Sequence, residues 1–222
     1  MLIKRVTNLS IKAHITFCFK VYLCVKSYLI MQEKHKIPAN IKQKVEVALE
    51  YYPQLKDIHI EFKIKKNIKK STMQARPTFD SFFKTKKDRK FLILISKKFK
   101  ISEREFSTLD IPDAVFIGWI GHELGHIMDY QNRSKLNLIW FGVKYLFSEN
   151  HIIEAERAAD SFAVKHKMED YILKTKDFIL NHAEISEVYK NRMKRYYLSP
   201  EEIMVLVKDR NLKELGNDVK EP

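Results

Sequence analysis

Two rhythms of apolar residues divide this chain near Asp110: spacing in twos is prominent before it, and spacing in threes and fours prevails after it. Ile58, Ile60, Phe62 and Ile64 alternate with polar residues, the pattern of a strand with one covered face. Residues 72–79 read as a weaker strand, and Pro77 within it calls for an edge position, because proline has no N–H to give a neighbouring strand. Phe91, Leu92, Ile93, Leu94 and Ile95 are apolar without alternation, which suits an interior strand covered on both faces. These three segments predict a small sheet, preceded by an amphipathic helix from Pro38 to about Tyr52.

Beyond Asp110 the period is helical. Asp110 is placed to cap a helix, Pro112 falls in its first turn and Asp113 completes a box-like start. Ala114, Ile117, Ile120, Leu124, Ile127 and Met128 then define one buried stripe. Further helices are predicted over residues 151–167, 170–180, 183–196 and 200–208, the last opened by Pro200 after Ser199. The tail after Leu215 is polar and expected to fray. The order of elements predicts an α+β fold, a small sheet followed by a helical C-terminal half.

Composition narrows this further. A chain of 222 residues with 45% hydrophobic content can bury one ordinary core, so a single domain over 31–222 is expected, with residues 1–30 as a separate extension. That extension carries Lys4, Arg5, Lys12, Lys20 and Lys26 and no acid. Its apolar stretch from Ile15 to Met31 is broken by Lys20 and Lys26, so it fits neither a membrane span nor a signal peptide. It reads as a peripheral anchor or as an upstream extension outside the fold. Cys18 and Cys24 form no disulfide framework or metal spacing, which suits a reducing compartment, or a fold that does not depend on redox state, and a cytoplasmic location is expected.

The net charge of +13 raises nucleic acid or an anionic membrane surface as partners. The basic residues are mostly lysines spread along the chain, and no nucleic-acid-binding signature accompanies them, so no nucleic acid is expected. Peripheral contact with an anionic membrane stays open. Residues 136–147 are apolar apart from Asn137 and Lys144, too short a run to span a bilayer, and read as a core segment or an interfacial patch.

Candidate chemistry lies inside the helix after Asp110. Gly121-His122-Glu123-Leu124-Gly125-His126 is an H-E-x-x-H segment. Residues four apart lie one turn above each other, so both imidazoles leave the same face and can share one ion, for which zinc is suited. Glu123 stands about 100 degrees around the helix, better placed to act on a water as general base than to join the ligands. Gly118, Gly121 and Gly125 each cost about 1 kcal/mol in a helix interior, so something must approach closely.

A third ligand is available in Glu154-Ala155-Glu156-Arg157-Ala158-Ala159-Asp160. Glu156 and Asp160 share a face, while Ala155 and Ala159 keep the surface low enough for close packing against the glycines. Glu156 suits the third ligand position, and Asp160 suits the acceptor that holds the far nitrogen of a liganding histidine.

H-E-L-G-H followed about thirty residues later by E-R-A-A-D resembles the gluzincin zinc metallopeptidases, particularly the HtpX-like membrane heat-shock protease type and the compact minigluzincins. Glu156, Ala159 and Asp160 match the second motif of those families position by position. The resemblance implies one Zn2+ per chain, held by His122, His126 and Glu156, with Asp160 supporting the site and a peptide or protein as substrate. It also implies a zincin-like fold whose small mixed sheet uses its edge strand, here residues 72–79, to pair with substrate backbone. Where the membrane proteases place transmembrane helices between the motifs, this chain has only residues 136–147.

A zinc peptidase also needs a donor for the developing oxyanion. His182, Tyr189, Arg192, Tyr196 and Tyr197 are candidates by type, and no spacing selects one. A competing reading is a non-catalytic zinc-binding regulatory module whose basic surface binds a partner. The acid at Glu123 favours the enzyme, because a purely structural site more often closes its fourth position with a protein ligand.

Overall fold

The computed structural model describes residues 34–218 apart from 67, 69, 70, 102, 103, 109, 183 and 184. The expectations for residues 1–30, including Cys18 and Cys24, therefore lie outside the described residues.

The fold is α+β. Strands β1 (His35–Lys36), β2 (His59–Lys65), β3 (Met73–Pro77) and β4 (Lys90–Ser96) form one sheet in the order β1-β2-β4-β3. β2 runs parallel to β1 and β4, whereas β3 is antiparallel to β4, so the sheet is mixed. Its register sets Ile60 opposite Phe91 and Phe62 opposite Ile93, and these four residues are buried in the main core. The non-alternating run lies on the interior strand β4, and Pro77 lies on the edge strand β3, where its missing N–H leaves the sheet intact. Two short pieces escaped the apolar pattern: β1, with only two residues, and a hairpin of β5 (Lys98–Ile101) and β6 (Arg104–Ser107).

Helix α1 (Lys42–Glu50) follows a 3-10 turn at Ala39–Ile41, and the C-terminal half holds six more helices. These are α2 (Asp113–Asn132), α3 (Lys135–Phe147), α4 (Glu149–Lys165), α5 (Glu169–Asn181), α6 (Glu187–Tyr196) and α7 (Pro200–Asp218). Serines start three of them: Ser134, Ser148 and Ser186 accept backbone N–H groups from Asn137, His151 and Tyr189. Helix α7 runs well past residue 208, so the expected end of that helix was too early.

Helix α2 differs from the expectation in two ways. It starts at Asp113 with Pro112 at the cap position and no side-chain cap, so Asp110 does not cap it. Asp113 instead pairs with Lys44 of α1 at 2.6 Å. Nor is α2 a one-sided helix: Val115, Phe116, Ile120, Leu124 and Ile127 are buried around most of its circumference, because α1, β3, α4 and α5 all pack on it. Two anchors fix its position. The Tyr52 hydroxyl donates to the Gly121 carbonyl at 2.7 Å, and buried Arg89 donates to the carbonyls of Tyr130 and Arg133 at the C-terminal end.

The glycines of α2 serve three different neighbours, not the single one expected. A side chain at Gly125 would strike the Ala159 carbonyl of α4, and one at Gly118 would strike Thr175 and the Tyr171 carbonyl of α5. Gly121 faces the end of the Met168 side chain. The close approach of α4 to α2 at Gly125 is what sets the two motifs of the sequence face to face.

Residues 136–147 belong to α3, which turns only Leu138 and Phe141 into the core. Of the two expectations for this segment, core and interfacial patch, the core one fails for most of its residues. No helix among the described residues is long and apolar enough to cross a membrane.

Candidate metal centre

Four side chains from two helices converge beside the edge strand. His122 and His126 project from successive turns of α2, with ring centroids 4.7 Å apart in an edge arrangement. Glu156 reaches both from α4: its Oε2 lies 3.0 Å from His122 Nε2 and 3.4 Å from His126 Nε2. On the far side of the His122 ring, Nδ1 lies 2.9 Å from Asp160 Oδ1. One turn of α4 thus separates a carboxylate that faces the imidazole tips from one that holds an imidazole from behind.

Asp160 is itself held. Its Oδ2 accepts from the Lys176 ammonium at 2.8 Å and from the Leu198 backbone N–H at 3.1 Å, and both Asp160 and Lys176 are buried. Glu156 is steadied by the Tyr145 hydroxyl, which donates to its Oε1 at 3.1 Å. Neither Lys176 nor Tyr145 was expected. Lys176 shares the buried stripe of α5 with Ile172, Thr175 and Ile179, and a lysine at such a position was the available sign that it has a buried partner. His126 has less support: its Nδ1 is buried with no hydrogen-bond partner among the described residues, and its ring stacks on Tyr130 at 6.1 Å.

These contacts set the charges. Burial opposes a proton on His122, but the hydrogen bonds that the protonated ring donates to Asp160 and Glu156 outweigh it and push its pKa up to about 10. For Glu156 burial again favours the neutral form, and the facing His126 and His122 overcome it, holding the carboxyl well below the usual range. Asp160 is likewise held low against its burial by Lys176 and His122.

Glu123 lies next to this cluster but points elsewhere. Its Oε2 accepts from the Ala75 backbone N–H of β3 at 2.6 Å. The Thr72 carbonyl accepts from Ser96 N–H, and Thr78 N–H donates to the Lys90 carbonyl, so alternate residues of β3 bond to β4 while Met73, Ala75 and Pro77 turn their backbone groups outward. Burial pushes the Glu123 carboxyl up, partly offset by His126 and His122.

The donor set fits a transition-metal ion. Ligand atoms placed about 2.0–2.1 Å from a tetrahedral zinc stand about 3.3 Å from one another. Glu156 meets the two histidines at 3.0 and 3.4 Å, and one ligand atom from each of the three residues lies within 4.8 Å of the others. Asp160 on Nδ1 of His122 leaves the Nε2 lone pair for an ion. Two imidazoles and a carboxylate suit zinc without singling it out among first-row metals.

A cavity of about 70 Å³, room for a few waters, adjoins His122 and Glu123 and is lined in part by Trp119, Lys176, Tyr189, Arg192 and Tyr197. Of the five candidate oxyanion donors, Tyr189, Arg192 and Tyr197 therefore reach the site. The other two do not: the Tyr196 hydroxyl donates to Glu149 at 2.5 Å, and the His182 ring packs against Phe178. Glu154 turns away as well, its side chain 74% exposed and bonded to His151. Comparison of the chain with protein-family models, with curated proteins and with solved structures found no match.

Proposed function

We propose that this chain is a zinc metallopeptidase of the gluzincin type with a zincin-like fold. The observation that carries the reading is the convergence of His122, His126 and Glu156 on one point, beside an acid, Glu123, that is not part of that set. In this reading the three residues hold zinc, and Asp160, braced by Lys176, fixes the His122 ring with Nε2 toward the ion. Zinc, when bound there, would polarise the scissile carbonyl and make water a stronger nucleophile.

The remaining work falls to the chain. Glu123 takes the proton of the attacking water and delivers it to the leaving amide nitrogen, a role for which a carboxyl raised by burial is better matched to neutral pH than an exposed one. A substrate in extended form adds to the outward-facing backbone groups of β3 on either side of Ala75, whose own N–H is held by the base. Tyr189, Arg192 and Tyr197 supply the polar groups nearest the reacting carbonyl.

One observation favours the competing reading of a non-catalytic metal module: a cavity of about 70 Å³ holds water but no peptide. Elemental analysis tests the shared premise of both readings. Purified chain is expected to carry close to one zinc, and His122→Ala, His126→Ala and Glu156→Ala each to lose most of it, because two donors hold the ion too weakly. Full zinc in Glu156→Ala would remove the third ligand from the proposal.

A further inference from the structure

Helix α3 is apolar except for Lys135, Asn137 and Lys144, yet the described residues cover only one side of it. Leu138 and Phe141 are buried, whereas Leu136, Ile139, Trp140, Val143, Leu146 and Phe147 recur every three or four residues along the opposite side and are exposed. Leu136 is 81% and Phe147 84% exposed, and the stripe runs the length of a helix of about 20 Å. Phe79 and Phe83, from the 3-10 turn Phe79–Phe83, enlarge the patch at its start, where Lys135 Nζ donates to the Phe83 carbonyl at 3.1 Å. A helix of this composition is ordinarily buried, so its bare side calls for an occupant.

The charge around the patch selects that occupant. Helix α3 carries Lys135 and Lys144 and no acid, and Lys144 Nζ lies 5.9 Å from the centre of the Trp140 ring. Lys86 follows beside it, bonded to the Asn132 carbonyl that precedes α3. Of the acids nearby, Asp80 is paired with Lys84, Asp129 with Arg133 and Glu149 with Arg195, which leaves Lys135 and Lys144 of α3 as the charges at the patch, whereas Lys86 shares its turn with Asp88. Trp and Phe amid lysines at the rim of an apolar stripe match an interface between acyl chains and anionic headgroups. A second copy of the chain fits worse, since its α3 brings the same two lysines and no acid to a symmetric pairing.

We infer that the outer side of α3, with Phe79 and Phe83, seats the protein on an anionic lipid surface. The seating is peripheral, with the apolar side chains at the headgroup boundary and Lys135 and Lys144 at the phosphates. Tyr145, on the inner side of the same helix, bonds Glu156, so the metal cluster lies about one helix diameter, roughly 10 Å, from the lipid. The inference stands whether or not the cluster is catalytic.

Cosedimentation of the full chain with vesicles tests it, using phosphatidylcholine alone and phosphatidylcholine mixed equally with phosphatidylserine. The wild type is expected to pellet with the mixed vesicles and far less with the neutral ones. Leu146→Glu should abolish the binding, and Lys135→Gln and Lys144→Gln should each weaken it about fivefold at low salt. Failure of the wild type to bind mixed vesicles, or binding that Leu146→Glu leaves intact, overturns the proposal. Two further results do the same: a wild-type dimer in size exclusion that Leu146→Glu splits, without vesicle binding, assigns the patch to a second copy. A large drop in melting temperature for Leu146→Glu assigns it to a contact within the chain.

Discussion

Helices α2 and α3 are neighbours in the chain, separated only by Arg133 and Ser134, and both are strongly apolar, yet they meet opposite fates. Around α2 most directions are filled: β3 and three helices pack on it, glycines let two of those helices touch its backbone, and its two histidines are drawn into one cluster. Among the described residues, helix α3 has neighbours on one side only. Apolar composition therefore states a demand for burial without stating who meets it. For α2 the chain itself meets the demand, and the gain is a rigid frame on which two histidines hold their spacing. For α3 the described residues leave the demand unmet, and the proposed lipid seating answers it.

The comparison can be pressed hardest through Lys176. Lys176→Met keeps the volume but leaves the buried Asp160 carboxylate without its cation, so metal-free protein should lose about 3–5 kcal/mol of stability in denaturant unfolding. A loss under about 1 kcal/mol would mean that Asp160 is satisfied without it. Next come matched truncations. Leu124→Ala in α2 should cost about 2–5 kcal/mol, whereas Leu146→Ala in α3 should stay within about 0.5 kcal/mol. Equal costs would erase the contrast between the helices. Smaller still is the expected effect of Asp160→Asn on zinc, a weakening of about 10- to 100-fold in a chelator competition, because the His122 ring loses a charged acceptor. Unchanged affinity would leave Asp160 a purely structural group.

Much of the site could be read from sequence because it depends on local periodicity. His122 with His126, and Glu156 with Asp160, lie one helical turn apart, and that spacing predicts shared faces before any tertiary contact is known. Pro77 likewise located the sheet edge through its missing N–H. What was not legible depends on which surfaces meet. Lys176 and Tyr145 gain their roles from residues at least eleven positions away. The three glycines look alike in the sequence but answer to α4, α5 and Met168. Asp110 has the chemistry of a cap, yet the helix begins three residues later, where Asp113 meets Lys44. The bare side of α3 could not be foreseen, since no pattern along a helix records how many neighbours it has.

Glu123→Gln tests the central claim most directly, because it separates holding a metal from using it. The amide keeps the size of the side chain and an oxygen for the Ala75 N–H, so zinc content and thermal stability should match those of the wild type. It cannot carry a proton between water and the leaving nitrogen, so cleavage of a peptide that the wild type cuts should fall by about 10² to 10⁴. A Glu123→Gln variant that binds zinc and still cleaves at the wild-type rate would contradict the account.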